Sequence, residues 1–328
     1  MKAEGPVKVR KEVIKAEKRI RKYIRETPLE YSPYLSNIGQ CQAYLKMENI
    51  QLTGSFKARG AMNKLLSLPQ GTEIITASSG NHGLAVAYSL DKLGRTGSIY
   101  LPTTTAPVKI EKLRGYDVPL EFHGTDSVEA EIFAKRIAEQ KKMVFISPYN
   151  DPKIIGGQGT IGLELTRQLA KIDAVLVTIG GGGLISGIAG YLKEVNSSVD
   201  IVGCLPENSA VMYESIKAGK ILIDMRSKPT LSDGSAGGIE PDSITFELCQ
   251  RYVDHYILVN EEKIAHAIRL MLEEHRMVIE GAAGVTVAAF LKEKIIGFGV
   301  IKSSSFVMGI WAGGTGQGSI AQNGNNNH

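Results

Sequence analysis

The sequence predicts an α/β protein, a mostly parallel sheet flanked by helices, and three observations carry that expectation. From residue 43 onward, short β-prone runs alternate with stretches of helical hydrophobic spacing, as strands do when each is followed by a covering helix. Glycine and small hydroxyl residues gather after the strands and before the helices, where open parallel sheets receive ligands. The composition, 43% hydrophobic and 22% charged over 328 residues, is that of a globular chain long enough for two domains.

The elements follow in order. The basic stretch from Lys8 to Arg25 places Val9, Val13, Ala16, Ile20, Tyr23 and Ile24 at helical spacing, which predicts a helix packed on its own domain. Glu12, Glu17 and Glu26 speak against a transit peptide, which is normally poor in acids. Strands are expected at Ala43–Met47, Glu73–Ala77, Gly97–Leu101, Val144–Ile146, Ala174–Ile179, Ile201–Cys204, Tyr256–Val259 and Phe306–Ile310. Between them fall helices at Ser55–Leu68, Asn81–Leu93, Ser127–Gln140, Leu184–Glu194, Glu261–Glu274 and Ala282–Glu293. The intervening loops include SSGNHG (78–83), GGQGT (156–160), GGGGLISG (180–187), SDGSAGG (232–238) and AGGTG (312–316), and loops of one kind suggest one shared pocket. The tail QNGNNNH is of low complexity and is expected to be disordered.

Several function classes are disfavoured. A net charge of +4 from 38 basic and 34 acidic residues, largely interspersed, implies no strong field for nucleic acid or membrane. Cys41, Cys204 and Cys249 lie far apart without C-x-x-C spacing, which fits a reducing cytoplasm better than a disulfide framework or a zinc site. No apolar run approaches the roughly 18 residues needed to span a bilayer, and the N-terminus lacks the apolar core of a signal peptide.

Chemistry concentrates in two motifs. Gly180 to Gly183 follow the strand AVLVTI and lead into a helix, so backbone N–H groups can approach a phosphate at the positive end of a helix dipole. A tight turn needs one or two glycines, not four. GxxxxGK[ST] is absent, and although Gly157, Gly159 and Gly162 match GxGxxG, no convincing strand precedes them and no acid follows at the ribose-binding distance. The match is read as chance, which leaves a nicotinamide enzyme as a weak alternative. The second motif is TGSFKARGA, where Lys57 stands behind a glycine, a hydroxyl residue and an aromatic ring at the start of a helix.

Taken in order, YLKMENIQLTGSFKARGA, SSGNHG, NDPKIIGGQGT, GGGGLISG and EGAAGVTVAA resemble the pyridoxal-phosphate-dependent threonine and serine dehydratases, of the tryptophan-synthase-β-like type II fold. The likeness runs from Thr27-Pro28-Leu29 to Gly313-Gly314, and serine racemase, cystathionine β-synthase and the ectoine-catabolic dehydratase share the fold. It implies two open twisted sheets: a large cofactor-binding domain of residues 1–51 and 148–328, and a small mobile domain of 52–147, with the site in the cleft between them. It also implies a homodimer and, since the chain ends soon after AGGTG, no C-terminal regulatory domain.

By this resemblance Lys57 forms the Schiff base with pyridoxal 5'-phosphate (PLP) and takes the substrate's Cα proton, and Phe56 packs beside the ring. A Schiff-base lysine must lose its proton near neutral pH, which enclosure in a low-dielectric pocket favours. Gly180, Gly181, Gly182, Gly183 and Leu184 would bind the phosphate, and Asn81 the ring hydroxyl. Ser78, Ser79, Asn81 and His82 would hold the substrate carboxylate, with His82 not a general base. Ser79 would stand on the opposite face of the cofactor, as in relatives that racemise. The implied reaction is β-elimination from a β-hydroxy amino acid such as L-threonine or L-serine, giving a 2-oxo acid and ammonia. Dehydration of phenylserine or an ectoine-derived amino acid, and serine racemisation, remain alternatives.

Two departures from the family pattern stand out. The usual Ser-Gly-Gly-Asn near the C-terminus is Ala312-Gly313-Gly314-Thr315, and alanine offers no hydroxyl to the pyridine nitrogen, so Thr315 becomes the candidate contact. Leu205 and Val211 replace the acids that hold a divalent cation in some relatives, leaving Glu207 alone, and no metal is expected there. Trp311, the single tryptophan, is read as a packing residue at the edge of the pocket.

Overall fold

A computed structural model describes residues 7–296 and 305–310. Ten strands among the described residues form two sheets. They are β1 (Leu29–Tyr31), β2 (Gln42–Met47), β3 (Ile74–Ala77), β4 (Gly97–Leu101), β5 (Leu120–Phe122), β6 (Val144–Phe145), β7 (Ala174–Thr178), β8 (Asp200–Pro206), β9 (His255–Val259) and β10 (Ser305–Ile310). The larger sheet has the order β1-β2-β10-β7-β8-β9 and the smaller β5-β4-β3-β6. Every pairing is parallel except that of β1 with β2. All eight expected strands are present within a few residues of their expected bounds, and β7 is buried at each position, as befits a parallel strand covered on both faces.

The N-terminal helix Val9–Ile20 buries Val9, Val13, Ala16 and Ile20, as its spacing predicts. It lies on the helices Pro152–Gln168, Gly183–Val195 and Lys57–Ser67. The short strands β1 and β5 were not expected, because three residues with one half-buried and two exposed positions carry no readable alternation.

One expectation fails outright. GGQGT is not a pocket loop but the interior of the helix Pro152–Gln168, which Asp151 caps by accepting from the backbone N–H groups of Lys153 and Ile154. Each glycine in a helix interior costs about 1 kcal/mol relative to alanine, and tertiary packing outweighs that cost here. A Cβ on Gly157 would stand 2.6 Å from the Arg59 carbonyl oxygen, and one on Gly159 would stand 2.7 Å from that of Gly187. Gly156 and Gly162 meet the backbones of Glu12 and Ile188 in the same way. The stripe lets helices cross at backbone contact. The GxGxxG match therefore sits in mid-helix, away from any strand-to-helix turn that could hold a dinucleotide.

Candidate active site

The C-terminal ends of β3 and β6 in the small sheet and of β7 in the large sheet deliver the candidate residues. Lys57 opens the helix Lys57–Ser67, with Phe56 at the preceding cap position. Its Nζ donates to the carbonyl oxygen of Pro148, 2.9 Å away in the loop after β6, and lies 5.3 Å from the centre of the Phe56 ring. Burial brings the amine from its ordinary value down to about 8, against the negative charge of Glu280, which works to raise it. A usable fraction is thus neutral, hence nucleophilic and basic, near pH 7.5.

The segment after β3 turns at Ser78–Gly80 into the helix Asn81–Leu93. The Ser78 hydroxyl accepts from the Gly80 N–H at 3.2 Å. A Cβ on Gly83 would stand 2.0 Å from the Ser78 carbonyl oxygen, so only glycine lets the helix start this close to the turn. His82 is buried, with Nε2 3.0 Å from the carbonyl oxygen of Ile146. Burial first, then the charge of Lys57, takes its pKa down to about 3, although the Ile146 bond pulls the other way. The imidazole is therefore neutral, and because a carbonyl only accepts, Nε2 carries the hydrogen. The ring ties the turn to the end of β6. Asn81 donates through Nδ2 to both carboxylate oxygens of Glu280, at 3.2 and 3.0 Å.

The tetraglycine follows Ile179. Gly182 has φ +83°, a left-handed conformation that L side chains rarely adopt, and no side chain caps the helix Gly183–Val195 that it begins. Tyr149 covers this turn, since Cβ atoms on Gly181 and Gly183 would fall 2.4 and 2.9 Å from its atoms. Tyr149 is itself held by a 2.9 Å bond from the Glu240 N–H to its hydroxyl. Leu184 is buried one position inside the helix. Thr315, Ala312 and Trp311 lie outside the described residues.

These residues fit an anionic, hydroxyl-bearing ring with an aldehyde. The helix that starts at Gly183 offers uncapped N–H groups to an anion. Thr53 Oγ1, Ser55 Oγ and Asn81 Oδ1 are sealed from water with no hydrogen-bond partner among the described residues. Uncompensated burial costs about 1–3 kcal/mol per group, so a polar ligand meeting them would relieve a standing penalty. Lys57 supplies the amine.

The comparisons agree with this chemistry. The family described as "Pyridoxal-phosphate dependent enzyme" matches residues 20–298. The chain belongs to this family. The PLP-dependent chain is 40% identical over 285 residues to a Thermotoga maritima protein named L-threonine ammonia-lyase, covering 86% of this chain and 71% of that one. Among solved structures, the processed form of threonine deaminase isoform 2 from Solanum lycopersicum superposes with a TM-score of 0.87 at 32% identity, covering 96% of this chain and 93% of that one. Maize serine racemase superposes at 0.88 with 29% identity, covering 94% of each chain.

Sequence reasoning named Lys57, Asn81, His82 and the tetraglycine, and a chain of contacts connects them: Lys57 Nζ reaches Pro148 beside Tyr149, which covers the tetraglycine, and Asn81 reaches Glu280, whose charge acts on Lys57. It gave no role to Glu280, Pro148 or Tyr149. Glu280 stood in plain view as the first residue of EGAAGVTVAA, but its partner is 199 positions away.

Proposed function

We propose that this chain is an ammonia-lyase that converts a β-hydroxy amino acid, such as L-threonine or L-serine, to a 2-oxo acid and ammonia. The observation that carries the reading is the depressed amine of Lys57, set among the SSGNHG turn, the tetraglycine and Glu280 in a chain of this family. PLP, when bound, supplies an electron sink for the charge that develops at the substrate Cα.

The protein's own groups would do the rest. Gly180 to Gly183 and the start of the helix Gly183–Val195 hold the phosphate, and Phe56 flanks the ring. The turn Ser78–Gly80 and the N-terminus of the helix Asn81–Leu93 receive the substrate carboxylate through N–H and hydroxyl donors, because a helix start favours an anion. A Cβ on Gly80 would meet nothing within 4 Å, so the turn has room for it. Neutral His82 braces this turn through Ile146 and moves no proton. The Lys57 amine takes the Cα proton, the β-hydroxyl leaves as water after protonation, and a water is regained when ammonia is released. Atoms balance without oxidant or reductant. Pairing Lys57 Nζ with the Pro148 carbonyl keeps the amine aimed until a ligand takes that position.

Ser79 favours one second reading. A hydroxyl on the face of the ring opposite Lys57 would return a proton from the other side, so slow racemisation of serine would accompany elimination, in keeping with the likeness to maize serine racemase. The same proposal includes residues 52–147 moving as a unit against 1–51 and 148–328, a homodimer and a cytoplasmic setting.

The decisive assay offers L-threonine, L-serine, phenylserine and an ectoine-derived amino acid to the PLP-loaded protein without NAD, and measures 2-oxo acid and ammonia. Lys57→Ala should abolish both turnover and the borohydride-fixed mass increase of PLP on the chain. A Lys57→Ala protein that retains either overturns the assignment.

A further inference from the structure

Glu280 directly precedes the helix Gly281–Ile296, while Asn81 begins the helix Asn81–Leu93 on the small-sheet side. The two meet through Asn81 Nδ2, which lies 3.2 Å from Oε1 and 3.0 Å from Oε2 of Glu280. A carboxylate accepts and does not donate, so it selects the nitrogen end of the amide. Rotating the amide by half a turn would set Oδ1 against two acceptor oxygens. Oδ1 is thereby held away from Glu280, buried and with no hydrogen-bond partner among the described residues. Glu280 also reaches the 231–241 segment, where a Cβ on Gly234 would fall 3.2 Å from its Oε1.

We propose that Glu280 is a positioning residue that locks the Asn81 amide in one orientation, so that the hydrogen-bonding polarity offered to a bound ring hydroxyl is set before the ligand arrives. The carboxylate thus links the start of the helix Asn81–Leu93 to its own helix, with the turn at Gly234 close beside it. Its charge also acts on the Lys57 amine, opposing the effect of burial. The ring-hydroxyl half of the inference rests on the PLP assignment proposed above. The lock itself does not.

The test has two arms. In the first, the cofactor-free protein is labelled with ¹⁵N-asparagine, and the Asn81 side-chain signals are assigned by their loss in Asn81→Asp. Exchange of those amide protons with solvent should quicken about tenfold or more in Glu280→Gln, whose side chain can face the amide with either oxygen or nitrogen, and should stay near wild type in Glu280→Asp. In the second, absorption spectra of the PLP-loaded proteins report whether the ring hydroxyl is ionised. The ratio of the two bands should shift in Glu280→Gln and be largely restored in Glu280→Asp. Unchanged exchange in a folded Glu280→Gln protein overturns the lock. Quickened exchange with an unchanged band ratio overturns its link to the ring hydroxyl. A wild-type protein that takes up no PLP overturns the proposed function and the hydroxyl half with it, while amide exchange still decides the lock.

Discussion

Two sets of charges tie the segment carrying Lys57 and the small sheet to the rest of the molecule, and they differ in their access to water. Beneath Lys57, Arg59 and Lys46 pair with Glu48 and Glu164, with side chains no more than 1% exposed. The Arg59 guanidinium donates to both oxygens of Glu48, at 2.8 Å each, and to both of Glu164, at 2.6 and 2.9 Å. Lys46 Nζ reaches Glu164 at 2.6 Å and the Thr27 carbonyl oxygen at 2.6 Å. A second set ties the small-sheet side to residues 231–241: Lys109 with Asp233 at 3.5 Å and Lys135 with Glu240 at 3.3 Å, with side chains from 20% to 77% exposed. Separating the first set strands charges in a medium that cannot solvate them, whereas each charge of the second already has some access to water. The molecule is sealed around Arg59 and more loosely fastened at residues 231–241. If residues 52–147 move as proposed, the second set is where they part.

The largest effect should come from breaking the sealed side. Arg59→Met leaves two carboxylates facing each other without their shared cation, and removing one partner of such a cluster costs about 3–5 kcal/mol. Urea unfolding followed by far-UV circular dichroism should show that loss. Arg59→Lys keeps the charge but cannot donate in parallel to two carboxylates, so it should recover only part of the stability. A Met variant as stable as wild type would mean that the seal is ornamental and the comparison wrong.

A smaller effect depends on pH. Burial works to raise the Glu164 pKa, but the charges and hydrogen bonds of Arg59 and Lys46 outweigh it and hold the group at about 2. A carboxyl depressed below its unfolded value stabilises the fold at pH above that value, and this contribution fades as pH falls toward the folded pKa. Stability should therefore drop between roughly pH 4.5 and pH 2. Glu164→Gln should be less stable at pH 7 and show a flatter acid limb across that window. An acid limb as steep as wild type would assign the loss to other carboxylates.

Neither set of charges was legible in the sequence, although the elements and motifs around them were. The strands around AVLVTI and the stripe Val9, Val13, Ala16 and Ile20 could be read because a period of 2 or 3.6 is local information. Lys57 and the tetraglycine could be read because their motifs are contiguous. Arg59, although it lies in the same motif as Lys57, could not be given its role, since Glu164 is 105 positions away and only the fold makes them neighbours. The helix Pro152–Gln168 failed for the same reason. Its glycines look like a loop until Gly187 and Arg59 press against them from other helices.

The smallest effect should lie at the second set. Pairs that water can reach contribute about 0–1 kcal/mol, and these are 20% to 77% exposed, so Lys109→Ala with Lys135→Ala should move the urea midpoint far less than Arg59→Met. Lys135 also pairs with Glu131 at 2.7 Å on its own helix, so its loss removes a local contact as well. What the double variant should change is access. With both fastenings cut, proteolysis at low protease concentration should quicken within residues 103–141 while the helix Pro152–Gln168 stays protected, because local opening tracks the free energy of the contacts that hold it. Uniform quickening along the chain, together with a fall in the urea midpoint as large as that of Arg59→Met, would put the two sets of charges on an equal footing. The contrast between a sealed cluster and a looser, partly exposed set would then have no energetic basis.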